Sequence, residues 1–384
     1  MREPGGVRLP ETAAVLAVRR GVREWVAARG GRGPVVVGLS GGADSLALVA
    51  AAVVEAGPVT AVVVDHRLQE GSGEVAERAV AHAMGLGCVG AVVVPVDVGR
   101  AGGVEAAARV ARYAALESVR DGRPVLLGHT LDDQAETVLL GLARGSGGRS
   151  IQGMVAWNAP WGRPLLGVRR AQTVRMCADM GIEPWHDPHN TDPSYTRVRV
   201  RDEVLPLLED VLGGGVAQAL ARTADQLRED GAVLDGYADT LLRAARTADP
   251  ADSVDVVAGA ESTTERRSLE ESDATTGRPA DSSPCRPDST SDRRRGGFDD
   301  IHRPALSIEI LATAPAALRR RAVRAWLVDQ GVTGLVNAHL QAIDELVSNW
   351  HGQGGVAVGG GTRDHRLVVT RERGTLAVRA QPRI

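Results

Sequence analysis

Four short, strongly apolar runs alternate with longer stretches of helical composition in the first part of the chain, and this alternation constrains the fold most. The predicted strands are Pro34–Leu39, Val59–Asp65, Cys88–Val96 and Pro124–Gly128. The predicted helices are Asp44–Glu55, Gly73–Met84 and Val104–Val119, with another beginning near Leu131. Apolar strands separated by helices are typical of a parallel sheet covered on both faces. The sequence therefore predicts an α/β fold with a doubly wound parallel sheet.

The rest of the sequence is predicted to form a second, smaller and mostly helical domain. We place the first domain at residues 1–212 and the second at 213–384, beginning at a triple glycine. Helical spacing recurs at Ala314–Gln330 and Val336–Trp350, and the Gly-rich tail alternates apolar and polar residues as a β-hairpin or small meander does. Residues 249–303 carry too little apolar surface to offset the entropy of ordering, so we predict a disordered insert there.

Charge is distributed unevenly along the chain. The formal net charge is -3, yet the segment 144–201 holds 9 arginines against 4 acidic residues. The chain contains no lysine, so all 45 basic residues are arginine. The absence of lysine excludes a Walker A loop and any Schiff-base lysine. The basic middle indicates a polyanionic partner such as a nucleic acid.

Cysteine, histidine and apolar patterns narrow the class of protein. Three scattered cysteines form no CxxC pair, so neither zinc nor an iron–sulfur cluster is expected. His66, His186 and His189 lack metal-ligand spacing and are expected to be solvated or hydrogen-bonded. The sequence shows no run of about eighteen apolar residues and no secretory pattern. We expect a cytoplasmic protein without a membrane partner; the oligomeric state stays open.

The stretch Ser40-Gly41-Gly42-Ala43-Asp44-Ser45 lies where the first strand ends and a helix begins. Adjacent glycines let the backbone approach an anion, and the helix N-terminus supplies positive partial charge. A carboxylate beside phosphates is repulsive unless a divalent cation lies between them. The pattern therefore favours a nucleotide pyrophosphate with Mg²⁺ on Asp44 over the alternative, a plain helix cap.

A second polar stretch, "GHTLDDQAETVLLGLARGSG" from Gly128 to Gly147, follows the fourth strand. Asp133 and Glu136 share a helix face, Asp132 is one step round, and His129 is on the preceding loop. Such a group can bind a cation, a metal or an ammonium group. The alternative is helix capping by the two aspartates with a solvated Glu136.

The first stretch resembles the signature of the PP-loop ATP pyrophosphatases, a Rossmann-like group. The second resembles the corresponding motif of the tRNA(Ile)-lysidine synthetase family. Further segments similar to that family are Val63–Gln69, Val104–Leu116 and Arg163–Glu209. The resemblance covers residues 30 to 250 strongly and 304 to 384 more loosely. Val198 and Gln69 depart from it, where asparagine and arginine are expected.

The resemblance implies a ligase that uses ATP and Mg²⁺. The C2 oxygen of the wobble cytidine of isoleucine tRNA with a CAU anticodon is adenylated, and free L-lysine then displaces AMP to form lysidine. It implies ATP binding by Ser40, Gly41, Gly42, Ala43, Asp44 and Ser45. Asp44 would hold the metal. The implied catalytic residues are Asp44, His129, Asp132, Asp133 and Glu136.

The arginines are the candidate contacts to substrate and tRNA. Glu105, Arg109 and Arg112 follow i, i+4, i+7 spacing on one predicted helix, and a solvated salt bridge is the alternative for them. The other candidates are Arg144, Arg197, Arg199 and Arg201. An extended segment would place the last three on one face, whereas a helix would spread them and favour solvated charge.

Two other functions remain open at this point. Another PP-loop tRNA modifier, a thiolase, would need cysteine pairs or an iron–sulfur cluster. A nucleotide- or tRNA-binding protein without turnover would bind ATP but release no pyrophosphate. Dense carboxylates are hard to explain in such a binder, because they repel both ligands.

Overall fold

The computed structural model describes residues 8–67, 69, 71–99, 103–145, 147–187, 192–247 and 305–383, without the side chains of Val104, Glu105 and Thr247. The predicted insert at 249–303 and His189 lie outside these residues. The chain divides into two compact units, the first ending at Val233 and the second beginning at Leu234. The predicted division at 212/213 remains a prediction. No single described helix is both long and apolar enough to cross a membrane.

The first unit contains a six-stranded sheet of order β3-β2-β1-β4-β6-β5. All neighbours are parallel except β5 and β6, which form a hairpin. The strands are β1 Val35–Gly38, β2 Val59–Asp65, β3 Gly90–Pro95, β4 Val125–Leu126, β5 Trp157–Asn158 and β6 Trp161–Gly162. The strand order reverses between β1 and β4, and ligands of such sheets bind outside the carboxyl ends of the strands at this switch point.

Helices flank this sheet. They are α1 Ala13–Ala27, α2 Ala43–Glu55, α3 Ser72–Gly85, α4 Val104–Val119, α5 Leu131–Ala143, α6 Arg170–Asp179, α7 Thr196–Arg199 and α8 Leu205–Val211. A turn of 3-10 helix lies at Gly148–Ile151, and a π-helical turn at Val200–Val204 joins α7 to α8. The predicted α2, α3 and α4 are confirmed to within one residue at each end.

The alternation of side chains along β1 explains why both faces of the sheet are covered. Val35 and Val37 pack into a core with α1, α2, α3 and α6. Val36 points the other way, into a core with Val62 and with Leu116 of α4. The doubly wound α/β fold is therefore confirmed. The sequence patterns that predicted this fold did not predict α1, α6 or the β5–β6 hairpin.

The long helix α9, Val216–Thr247, contains the boundary between the units. The second unit continues with β7 Leu306–Ser307, α10 Ile308–Ala312, α11 Ala316–Asp329, α12 Asn337–Ser348, β8 Val356–Val358, β9 His365–Glu372 and β10 Thr375–Pro382. Its sheet has the order β7-β10-β9-β8 and is antiparallel. The predicted helices and terminal β-meander are confirmed, with Trp326 of α11 completely buried in the core.

Candidate active site

The loop between β1 and α2 has the geometry of an anion site. Gly41 adopts a φ of 81°, which glycine alone adopts without strain, and Gly42 is the N-cap of α2. The hydroxyl of the buried Ser45 donates to the Gly42 carbonyl at 2.9 Å and lies 3.2 Å from the hydroxyl of the exposed Ser40. Ala43 begins the helix, so the first N–H groups of α2 point out of its N-terminus.

Asp44 occupies the first turn of α2 and faces α6. Its Oδ2 lies 3.3 Å from Nε of Arg170, and its Oδ1 accepts a short hydrogen bond from Thr173. Burial raises the pKa of Asp44, although Arg170 and Thr173 oppose that shift. Gly128, at the end of β4, comes so close to the Asp44 backbone that a Cβ there would lie 3.1 Å from it. The two loops of the switch point therefore touch through a glycine.

Asp133 caps a helix and also lies in the candidate site. Its Oδ2 accepts from the backbone N–H of Thr130 at 2.7 Å, and together these residues form the capping box of α5. Its Oδ1 lies 2.7 Å from a guanidinium nitrogen of Arg170. Arg170 and the Thr130 bonds lower the pKa of Asp133 against the effect of burial. The alternative of helix capping is thus correct for Asp133. Capping does not exclude a role for Asp133 in the site.

Asp132 and Glu136 are also engaged by arginines. Asp132 accepts from the backbone N–H of Arg170 at 2.7 Å and pairs with the Arg169 side chain at 3.0 Å. Glu136 is completely buried, so the expectation of a solvated Glu136 in the capping alternative is wrong. Its partners are Arg201 at 2.7 Å and Arg170 and Arg197, each at 3.3 Å.

Arg170 is the centre of this carboxylate network, which we define as Asp44, Asp132, Asp133 and Glu136 with Arg169, Arg170, Arg197 and Arg201. Its guanidinium reaches Asp44, Asp133 and Glu136 at once. Sequence reasoning did not assign a role to either Arg169 or Arg170. The only available signal was their place in the segment Arg163–Glu209 that resembles the family.

The arginines at 197, 199 and 201 lie on a helical segment, so the extended alternative is wrong. They nevertheless do not all become solvated. Arg197 and Arg201, four residues apart, both reach Glu136. Arg199 points away and pairs with Glu203 at 2.8 Å, where both side chains are exposed. Helical geometry therefore separates two site arginines from a surface one.

Arg109 and Arg112 of α4 lie beside Tyr113, and the predicted alternative of a solvated salt bridge with Glu105 stays a prediction. Arg109 donates to the Tyr113 hydroxyl at 3.2 Å, and the Arg112 guanidinium lies 5.9 Å from the ring centroid. The side chain of Glu105 lies outside the described residues. Arg144 is exposed at the C-cap of α5.

His129 follows β4 at the carboxyl edge of the sheet. Burial is the main cause that lowers its pKa, and Arg163, Arg112 and Arg109 lower it further. Its Nδ1 is buried and has no hydrogen-bond partner. His129 is therefore neutral at neutral pH, with a ring nitrogen available to a ligand.

Among the described residues, no three His, Cys, Asp or Glu side chains form a group that could hold a metal by themselves. Mg²⁺ commonly binds through one or two carboxylates together with substrate phosphates and water. The desolvated carboxylate of Asp44, at the mouth of an anion loop, fits that kind of site.

Two protein-family models match most of the chain. The PP-loop domain model matches residues 17–208, and the TilS substrate binding domain model matches residues 306–377. A solved U34-tRNA thiolase from Methanococcus maripaludis aligns over 56% of this chain and 79% of its own. At 17% identity and a TM-score of 0.45, that likeness is too weak to support a function.

Curated relatives match nearly the whole chain. The tRNA(Ile)-lysidine synthase of Nocardia farcinica is 57% identical, covering 95% of this chain and 98% of its own. That of Rhodococcus erythropolis is 53% identical, covering 96% of each. That of Mycobacterium tuberculosis is 51% identical, covering 90% of this chain and 91% of its own. The chain therefore belongs to the tRNA(Ile)-lysidine synthases, a family of ATP-using ligases with a PP-loop domain.

Proposed function

We propose that this protein converts the wobble cytidine of isoleucine tRNA with a CAU anticodon into lysidine. The cytidine C2 oxygen attacks the α-phosphate of ATP, the bond to the β-phosphate breaks, and pyrophosphate leaves. The ε-amine of free lysine then attacks C2 and loses a proton while the C2–O bond breaks and AMP leaves. The single observation that carries the proposal is that Arg170 joins Asp44 of the anion loop at Ser40–Ser45 to Asp133 of the second polar stretch.

ATP binding is assigned to the loop before α2. The N–H groups of the helix N-terminus would hold the departing pyrophosphate, and Gly41 and Gly42 leave room for it. Asp44 would hold Mg²⁺ together with phosphate oxygens. When bound, the ion would neutralise part of the phosphate charge. The raised pKa of Asp44 supports this role, because its desolvated carboxylate gains from a nearby cation.

Lysine binding is assigned to the exposed side of the carboxylate network. The side chains of Asp132 and Asp133 are 17% and 15% exposed, whereas Glu136 is completely buried. We therefore assign the two aspartates to the ammonium groups of lysine, and Glu136 to holding Arg197 and Arg201 in place. Each carboxylate retains lone pairs beyond those used by its arginine.

His129 is assigned to orienting the attacking amine through a hydrogen bond, because an imidazole with so low a pKa is a weak proton acceptor. The low pKa keeps its imidazole neutral, and the unpartnered Nδ1 is a free acceptor in one tautomer. A donor group of the substrate would give that buried nitrogen the partner it lacks. Arg144 and Arg199, both exposed, are assigned to the tRNA backbone. The proposed location is the cytoplasm.

The thiolase alternative receives no support from the described cysteines. Cys88 and Cys177 are both buried, and burial raises their thiol pKa to about 11 and about 12. Thiols with such pKa values are poor nucleophiles at neutral pH. Cys285 lies outside the described residues.

The test is ATP-dependent incorporation of labelled lysine into the CAU-anticodon transcript. The same transcript with uridine at the wobble position serves as its control. We expect incorporation only with cytidine, and its loss in Asp44→Asn, which keeps the size of the side chain. Pyrophosphate release with tRNA but no bound lysine would contradict the assigned nucleophile. No pyrophosphate release at all would favour a binding protein without turnover.

A further inference from the structure

Thr173 of α6 carries a buried hydroxyl beside the ATP loop, and no step of the proposed reaction assigns it a role. Its side chain is completely buried, and so is that of Cys177 one turn further along the helix. The Thr173 hydroxyl donates to Oδ1 of Asp44. The Cys177 thiol donates to the carbonyl of Ala43 at 3.5 Å. One face of α6 is therefore packed against the first turn of α2, which contains the residue assigned to the metal.

A hydroxyl at this buried position is favourable only with a hydrogen-bond partner, since valine has the same shape and no polar atom to satisfy. The Thr173 hydroxyl has one proton and two acceptors within reach. One is the Asp44 carboxylate, and the other is the carbonyl oxygen of Arg170, 2.8 Å from Oγ1. An ionised carboxylate is the stronger acceptor of the two. The proton is therefore directed to Asp44.

The helix backbone fixes the direction of this hydrogen bond. Threonine is branched at Cβ, and one of its two common rotamers in a helix places Oγ1 beside the carbonyl three or four residues earlier. The distance between Oγ1 of Thr173 and the Arg170 carbonyl oxygen corresponds to that rotamer. The same rotamer brings the hydroxyl to Asp44. Helix α6 thus determines where one oxygen of the carboxylate lies.

The two side-chain contacts of Asp44 differ in charge. Arg170 lies 3.3 Å from Oδ2, and it also pairs with Asp133 at 2.7 Å and with Glu136 at 3.3 Å. A divalent cation at Asp44 would repel this guanidinium, which has two other carboxylates to hold it. The Thr173 hydroxyl is neutral, so a cation does not oppose its bond to Oδ1. Of these two contacts, the hydroxyl is the one suited to hold Asp44 both with and without a metal.

We propose that Thr173 is a positioning residue that holds the Asp44 carboxylate in the orientation that binds Mg²⁺ together with ATP. The hydroxyl acts through Asp44 and contacts neither the ion nor the nucleotide. It occupies one lone pair of the carboxylate and leaves the others for the ion. Hydrogen-bonded partners of ligating carboxylates commonly raise metal affinity in this way. This inference rests on the proposed function, in which Asp44 holds Mg²⁺.

The experiment measures ATP affinity by calorimetry, once with Mg²⁺ and once with EDTA. The ratio of the two affinities is the gain due to the metal. Two pairs of proteins each compare a side chain that has the hydroxyl with one that lacks it: wild type with Thr173→Val, and Thr173→Ser with Thr173→Ala. The control is Cys177→Ala, which removes a buried polar group on the same face of α6 that contacts the backbone of α2 instead of the carboxylate. Thermal unfolding without ligands shows whether each variant is folded.

We expect Thr173→Val to lower the gain due to Mg²⁺ about tenfold. Its ATP affinity with EDTA should stay near the wild-type value, because Asp44 favours ATP binding only through the metal. Thr173→Ser should keep most of the gain, and Thr173→Ala should lose it. The Mg²⁺ concentration that gives half of the maximal rate should rise about tenfold in Thr173→Val, with kcat at saturating Mg²⁺ little changed. Cys177→Ala should retain the wild-type gain, even where the cavity lowers its stability.

Three results would overturn the inference. An undiminished gain in Thr173→Val would show that the hydroxyl does not position Asp44. An equal fall in ATP affinity with and without Mg²⁺ would mean that Thr173 supports the loop instead. Loss of the gain in Cys177→Ala as well would assign the effect to the packing of α6.

If Thr173→Val does not fold, the pair Thr173→Ser and Thr173→Ala decides by the same ratio. A different result would count against the proposed function itself. Wild-type protein whose ATP affinity does not rise with Mg²⁺ would overturn the assignment of the metal to Asp44, and the role of Thr173 with it.

Discussion

Two arginine-rich groups lie at the same edge of one sheet. One is the carboxylate network, and the other consists of Arg109, Arg112, Tyr113 and Arg163, which we call the Tyr113 cluster. In the network every arginine pairs with an acid, and Arg170 alone reaches three of them. In the Tyr113 cluster the hydrogen bonds of Arg109 and Arg163 go to a phenol and a backbone carbonyl, and no described carboxylate forms an ion pair with Arg109, Arg112 or Arg163. The first group balances its own charge, whereas the second has no acidic partner among the described side chains.

This difference separates arginines that are paired with carboxylates from arginines that lack such a partner among the described side chains. Removing one partner of a buried ion pair leaves an uncompensated charge and costs several kcal/mol. Removing a cation that is already uncompensated costs the fold little and can relieve repulsion. The same substitution type should therefore give opposite results in the two regions.

The largest effect is expected for Arg170→Met. The free energy of unfolding should fall by about 3–5 kcal/mol at neutral pH, since Asp44, Asp133 and Glu136 lose their shared cation. Urea unfolding measures the change, with Arg112→Met as the matched variant in the Tyr113 cluster. We expect Arg112→Met to cost less than about 1 kcal/mol. Equal losses in the two variants would remove the distinction between the regions.

Glu136→Gln should follow with a loss of about 2 kcal/mol. The amide keeps a hydrogen-bond acceptor for Arg201 and Arg197 but loses the charge that pairs with them. Thermal unfolding of Glu136→Gln beside the exposed Glu203→Gln measures this. A melting temperature equal to that of wild type would show that the buried carboxylate is dispensable.

A smaller, pH-dependent effect is expected from His129. Its folded pKa lies below the ordinary value of 6.5, so the unfolded chain binds the proton more readily. The stability that this provides is complete above pH 6.5 and is lost as the pH falls toward the folded pKa. His129→Gln should therefore flatten the acid side of a curve of melting temperature against pH. Parallel curves for the two proteins would contradict the buried neutral imidazole.

The smallest effect is expected for Arg199→Gln. Arg199 and Glu203 form an exposed i,i+4 pair, which contributes within about 0.5 kcal/mol of zero. Urea unfolding should not separate this variant from wild type, whereas Arg201→Gln, two residues away, should be clearly destabilised. Similar losses at both positions would mean that the helical segment does not divide its arginines between site and surface.

Much of the fold could be read from local patterns. The apolar strands and the helices between them were visible because their periodicity is local, and the glycines at 41 and 42 marked the anion loop. The helix α6 was not visible, since its sequence Arg170–Asp179 is polar and has no strong apolar face. The segment 196–204 was ambiguous because its alternating arginines suit a strand as well as a helix.

The sequence by itself therefore determined strands β1 to β4, the loop before α2 and the acidic residues near it. Only the tertiary structure decided which charges neutralise one another. Arg170 is 126 residues from Asp44 and 34 from Glu136, and no local pattern encodes such pairs. Coulomb attraction and desolvation depend on distance and burial in space, and the packing of α6 and α7 against the strand ends sets both.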